Sequence, residues 1–199
     1  MSPSRYHHGD LRAALLAAAK TLVAAHGPDG FTMAQAARQA GVSSGAPYRH
    51  FADRAALMRA LADEGRAALE ARLGQAVASV ADPREAFRQT GIAYAVFAVE
   101  EPGWFRVMQM PEYAPIDPEH PDVVGFWAPL AALLDSVDPE ASLPEGHPLI
   151  AQFAGRALVQ GLASFLVQGS LRPLGIDTER AGQLADAITR FLQLPEPPG

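Results

Sequence analysis

Residues 41–51 read GVSSGAPYRHF. Ser43, Ser44, Tyr48, Arg49 and His50 put two hydroxyls, a phenol, a guanidinium and an imidazole in one short stretch. Two kinds of chemistry use such a set. The first is acyl transfer: GVSSG satisfies G-x-S-x-G with Ser43 as nucleophile, a pattern that needs a strand before it and a helix after it. The second is contact with a polyanion. Small residues (Ser43, Ser44, Gly45, Ala46) let a backbone approach base edges closely, Tyr48 and His50 donate to phosphates, and Arg49 reads a guanine or grips a phosphate. Elsewhere His7 and His8 are adjacent, but no Asp, Glu or Cys stands at ligand spacing, so neither a metal nor a cofactor is expected. No glycine-rich phosphate loop follows a strand.

The elements around the stretch decide between the two. Asp10 can cap a first helix that carries Leu11, Leu15, Ala18, Leu22 and Val23 on one stripe, and Gly27-Pro28 stops it. Thr32 with Gln35 forms a capping box, which predicts a second helix over MAQAARQA. Gly41 ends that helix where the chain must reverse. Ala37 lets two helices cross closely, Val42 pins the turn, and Ser43 or Ser44 caps a third, short helix over 44–50 with Pro47 in its first turn. Two helices joined in this way make a helix-turn-helix, with Phe51 turned inward. What precedes Ser43 is helical, so the strand required by a nucleophile elbow is missing and the hydrolase reading becomes a remote alternative.

Charge supports the polyanion. Residues 1–60 hold seven basic groups against three acidic ones, a net of +4; the remainder holds nine against nineteen, a net of −10. A basic head on an acidic body places the anionic partner at the head. The chain has no cysteine, which excludes disulfides. Its polar start, MSPSRYHHGDLR, lacks the apolar centre of a signal peptide, and apolar stretches such as GIAYAVFAV are too short to span a bilayer. The expectation is a soluble cytoplasmic protein with no membrane partner.

Further along, Asp53 caps a long helix carrying Leu57, Leu61, Leu69, Leu73 and Val77, and Asp82-Pro83-Arg84-Glu85 opens another that Pro102 closes. Residues 111–121 read as a proline-rich loop, and helices are expected over 122–136, 148–169 and 177–193. The fold class is all-α, with about nine helices. A three-helix DNA-binding head spans residues 1–53, and a larger helical body spans 54–199.

The span of about 8–65 resembles the head of the TetR family of transcriptional regulators. The resemblance rests on FTMAQAARQAGVSSGAPYRHFADRAAL: Phe31-Thr32, the Ala37 to Ser43 turn, Gly45, Tyr48, Phe51, Asp53-Arg54 and Leu57. It implies phosphate or base contacts at Thr32, Ser44, Gly45, Tyr48, His50 and Arg54, a helical body that dimerises, and a small-molecule effector. Arg54 stands where the family more often has lysine, and Pro47 where it has an aliphatic residue or threonine.

The body carries two further patterns. Tyr94, Phe97, Trp104, Phe105, Met108, Met110 and Tyr113, followed by Phe126 and Trp127, suit an adaptable apolar pocket. Glu100, Glu101 and Glu112 could orient a cationic ligand. Residues 149–169 are apolar on most faces, and LADAITRFLQL adds a second apolar face. Leu158, Leu162, Phe165, Leu166, Leu184, Ile188 and Phe191 are the expected dimer residues. The functional expectation is a repressor that binds a near-palindromic double-stranded operator as a homodimer and is released by a small apolar or aromatic effector. The alternative is a ligand-binding helical protein whose head contacts another protein.

Overall fold

The computed structural model describes residues 10–78, 80–113, 119, 131–132, 147–176 and 180–191. Among them there are seven α-helices and no strand: α1 (Asp10–His26), α2 (Met33–Gln39), α3 (Arg54–Val77), α4 (Pro83–Glu100), α5 (Pro102–Met108), α6 (Pro148–Gln168) and α7 (Ala181–Phe191). The class is as expected. Of the helix expected over 122–136, only Ala131 and Ala132 lie inside the described residues, and both are helical. The sequence reading missed α5, treating Pro102 only as a stop. Pro102 is also a favourable first residue, because the amide it lacks has no partner in a first helical turn.

The chain forms two compact units, Met1–Arg72 with Glu100–Ala114, and Leu73–Val99 with Pro115–Gly199. The sequence reading set the boundary at residue 53, directly before α3. Compactness divides the chain elsewhere, because α3 up to Arg72 and all of α5 pack with the head.

The core of the first unit joins Leu15, Leu16 and Val23 of α1 to Phe31, Phe51 and the Leu57, Met58 and Leu61 face of α3. Full burial of each such side chain contributes about 1.5–3 kcal/mol. Asp53 caps α3 as expected, accepting from the Ala56 amide at 2.7 Å. Helix α5 is seated on α1. The Arg106 guanidinium donates to the carbonyls of Ala24 at 2.7 Å and Val23 at 3.1 Å, satisfying acceptors in the last turn of α1 where the helix dipole favours a cation. Lys20 bonds Glu101 at 2.9 Å, and its ammonium lies 3.9 Å from the centre of the Trp104 ring.

The second unit packs α4, α6 and α7 around Ala95, Leu162, Leu166, Ala181 and Ala185. Small residues on α4 and α7 allow close crossing. Leu149–Gln168 is long and apolar enough, by length and composition, to cross a bilayer. This corrects the expectation that every apolar stretch is too short: Gln152, Arg156 and Gln160 interrupt the run in sequence without lowering its average enough. Within the unit the helix buries Gly155, Val159, Leu162, Ala163 and Leu166.

Charges also tie the second unit together. Arg88 bonds Glu85 through Nε at 2.7 Å and through Nη2, and it forms an ion pair with Asp186 of α7. Arg190 bonds Asp186 at 2.9 Å. The hydrogen bond from Arg88, then that from Gln89, lowers the Glu85 carboxyl from 4.5 to about 2. A depressed acid contributes stability that is complete above its unfolded value and lost as pH falls through its folded one. The stability difference between wild type and Glu85→Gln should therefore be constant above about pH 5.5 and shrink as pH drops from 4.5 toward 2. Chemical-denaturation curves at a series of pH values measure it. A difference that grows on acidification would contradict the pairing.

Candidate nucleic-acid interface

The surface is built from local bonds. Thr32 accepts from the Gln35 amide at 3.2 Å, and Gln35 Oε1 accepts from the Thr32 amide at 2.7 Å, so the capping box that opens α2 is complete. At the other end Gly41 takes φ +73°, the left-handed conformation that favours glycine. Its amide donates to Arg38 at 3.1 Å and that of Val42 to Ala37 at 2.9 Å, which turns the chain back against α2. Ala37 is fully buried at this crossing.

The third helix differs from expectation. It is a three-residue 3-10 turn, Pro47–Arg49, and its cap residue is Ala46, with no side-chain bond from Ser43 or Ser44. Pro47, without an amide hydrogen, cannot give the four-residue bond to Ser43. The bonds present have mixed spacing: Ala46 to Ser43 at 3.0 Å, Arg49 to Ala46 at 3.2 Å and His50 to Pro47 at 2.9 Å span three residues, while Phe51 to Pro47 at 3.0 Å spans four. Ser43 and Ser44 are exposed, and their hydroxyls are not spent on capping.

The turn has two sides. Pro47 and Phe51, four apart, are buried, and Phe51 joins the core with 4% exposure. Tyr48 is 58% exposed and Arg49 is exposed beside it, while Ala46 and His50 are half-buried. Thr32, Ser43, Ser44 and Gly45 are all exposed. A Cβ at Gly45 would meet nothing within 4 Å, and its φ lies outside the left-handed region. The fold therefore makes no demand for glycine at position 45.

Sequence reasoning assigned no site role to Arg12 or Arg38. Both are exposed, and the Arg12 guanidinium lies 5.4 Å from the centre of the Phe51 ring. Arg12 stands in the first turn of α1 and Arg38 in the last turn of α2. Arg54, expected at a phosphate, bonds the carbonyl of Pro28 and lies over the Phe31 ring.

The expected ligand residues fall in both units. Tyr94 and Phe97 lie on α4 in the second, where the Tyr94 hydroxyl donates to Gln160 Oε1. Trp104, Phe105, Met108, Met110 and Tyr113 belong to the first, and Trp104, Met110 and Tyr113 pack with its core. Phe126 and Trp127 lie outside the described residues. Glu100 bonds Arg72 at 2.5 Å and Glu101 bonds Lys20, so both carboxylates already have cations within the chain.

Of the expected dimer residues, Leu162 and Leu166 are in the core of the second unit, and Leu184 and Ile188 are half-buried against it. Leu158 and Phe165 are 45% and 53% exposed and, seven residues apart, share one face of the helix two turns apart. Phe153, also exposed, was not expected. Nothing is described of the Phe191 side chain. Ser43 follows α2 rather than a strand, and His7 and His8 lie outside the described residues. Among the described residues no group of three metal-binding side chains is found.

Residues 15–61 match the family described as bacterial regulatory proteins of the tetR family, and residues 87–191 the one described as the tetracyclin repressor-like C-terminal domain. No curated protein matches the chain. A solved protein of unknown function from Rhodococcus sp. RHA1 is 29% identical, with 96% of this chain and 99% of that chain covered and a TM-score of 0.65. The ketosteroid transcriptional regulator KstR2 of Mycobacterium tuberculosis is 20% identical, with 98% of each chain covered and a TM-score of 0.63. The fatty acid degradation regulator FadR of Bacillus halodurans is 13% identical over 94% of this chain and 96% of that one, with a TM-score of 0.61. At these identities the last two share the fold.

Proposed function

This chain belongs to the TetR family of bacterial transcriptional regulators with a helix-turn-helix DNA-binding head, and from that premise we propose that it is a repressor binding a near-palindromic operator as a homodimer. Residues 1–53 contact DNA, and 54–199 bind an effector and dimerise. The observation that carries the reading is the exposed pair Tyr48-Arg49 beside the open space at Gly45, on a head of net charge +4. Arg49 supplies a fork for a guanine or a phosphate. Thr32, Ser43, Ser44, Tyr48 and His50 supply hydroxyl, phenol and imidazole donors for the backbone. Because DNA is the partner, the place of action is the cytoplasm.

Gly45→Ala isolates this function from folding. The methyl meets nothing in the protein, so the variant should melt no lower than wild type and gain up to about 1 kcal/mol from a stiffer unfolded chain. It should bind DNA more weakly, because the methyl fills space that the bases or sugars need. Affinity for a duplex selected from a random library by the wild-type protein should also fall steeply with salt, through counterion release. Affinity indifferent to salt would return the head to the alternative, a surface for another protein.

The dimer reading is supported by the exposed Leu158 and Phe165 stripe on α6, with α7 alongside it in the same unit. Two such helices from each chain make a four-helix contact. Phe165→Glu should shift the mass measured by light scattering at micromolar concentration from dimer to monomer; a wild type that is already monomeric would sink this part.

The effector reading rests on the aromatic density of residues 94–127. Within the second unit, Tyr94 and Phe97 on α4 provide ring surface, and the Tyr94–Gln160 pair provides a polar anchor. A small apolar, aromatic or planar molecule fits that chemistry. Helix α3 belongs to both units and is the lever. To release DNA the effector must prefer the non-binding shape, and a hundredfold preference is worth about 2.7 kcal/mol.

A further inference from the structure

Arg54 opens α3 directly after its Asp53 cap. Its guanidinium is turned onto the loop between α1 and α2. Nη2 donates to the Pro28 carbonyl and lies 3.8 Å from the Asp29 carboxylate, and the group sits 5.0 Å from the centre of the Phe31 ring. Its Nε is buried without a hydrogen-bond partner, so that atom faces protein rather than a phosphate in water.

The loop is a tight one. Gly30 donates to Gly27 at 3.1 Å, and Phe31 anchors the far end in the core. The next residue, Thr32, is the cap of α2. Whatever fixes residues 28–31 therefore fixes where α2 starts.

Resting on the DNA-binding reading above, we propose that Arg54 is a positioning residue: it clamps the 28–31 loop and so sets the entry of α2 into the helix-turn-helix, and it is not a phosphate contact. Three features favour this role. A planar guanidinium bonds the Pro28 carbonyl at its edge while its face lies on the Phe31 ring, an edge-and-face geometry that a lysine ammonium, without the planar fork, does not reproduce. The Asp29 carboxylate, 89% exposed, stands beside the guanidinium and would repel a phosphate brought to it. The three groups that hold Arg54 all belong to the loop that leads into α2.

The test has two arms, with Arg54→Lys and Arg54→Met compared to wild type. In the first, hydrogen exchange of the Gly30 and Gln35 amides is followed in the free protein. Both variants should exchange about tenfold faster, the loss of one charge-assisted hydrogen bond. In the second, binding to the duplex selected by the wild-type protein is measured over a range of salt. Both variants should bind about tenfold more weakly with the same dependence on log salt. A phosphate contact gives the opposite set: the slope of Arg54→Met falls by about one, Arg54→Lys binds as wild type, and exchange does not change. Any loss of slope, unchanged exchange, or unchanged affinity overturns the proposal. If the wild-type protein selects no duplex, the DNA reading fails by itself, and the exchange arm alone decides whether Arg54 clamps the loop.

Discussion

Gly103→Ala should lower the thermal midpoint by roughly 3–10 °C, the consequence of about 1–3 kcal/mol of overpacking in a chain of this size. A Cβ at position 103 would lie 2.3 Å from the Lys20 carbonyl oxygen and 2.8 Å from its Cγ. The nearer atom is backbone, inside α1, so no rotamer change relieves the clash. Helix propensity acts the other way, since alanine is better than glycine in a helix by about 0.5–1 kcal/mol. The steric term wins because α5 cannot retreat without losing contacts on two sides. On one, Arg106 would leave the α1 carbonyls and Lys20 would leave Glu101. On the other, Gly65 of α3 already stands against Met108 and Trp104, with room for a Cβ only at 2.8–2.9 Å. Calorimetry or circular dichroism on Gly103→Ala beside Gly45→Ala makes the comparison internal: one glycine is packed and the other faces open space. Equal melting of both would mean that α5 does not sit on α1 at this distance.

Arg49→Ala should weaken DNA binding by about 1–3 kcal/mol while leaving the melting curve within about 0.5 kcal/mol of wild type. The side chain is exposed on the 3-10 turn, so its removal leaves no buried group unpaired. Which role it plays is read from the pattern of loss. A base contact relaxes the preference at one position of the site, whereas a phosphate contact weakens all sequences alike and reduces the salt slope by about one. Tyr48→Ala is the companion. At 58% exposure the ring contributes little to the core, so folding should be kept and affinity lost. A head that unfolds on Tyr48→Ala would remove Tyr48 from the interface.

The sequence by itself determined the parts of the head that depend on near neighbours. The Thr32–Gln35 capping box, the Asp53 cap and the left-handed Gly41 each involve bonds or dihedrals within a few residues, and each is found where it was read. The same holds for the all-α class, since apolar periodicity is also a local property. Pro47 was visible too, but its effect depends on which carbonyl it fails to serve. Pro47 gives no amide to Ser43, and where a helix over 44–50 was expected there is one 3-10 turn with no side-chain cap from Ser43 or Ser44.

Tertiary structure decided everything that rests on partners distant in the chain. Trp104 and Tyr113 read as pocket residues by their density, and the fold places both in the first unit, where α5 returns to α1 about eighty positions away along the chain. Leu162 and Leu166 read as dimer residues on a helix apolar nearly all round, and only packing against α4 and α7 separates them from Leu158 and Phe165. Arg54 reads from the sequence as a phosphate contact; that Pro28, Asp29 and Phe31 stand around it is decided by the fold alone. The physical reason is the same in each case. A cap or a turn is fixed by short-range bonds, which the sequence spells out in order, whereas the face that a side chain buries is fixed by whichever distant surface covers it.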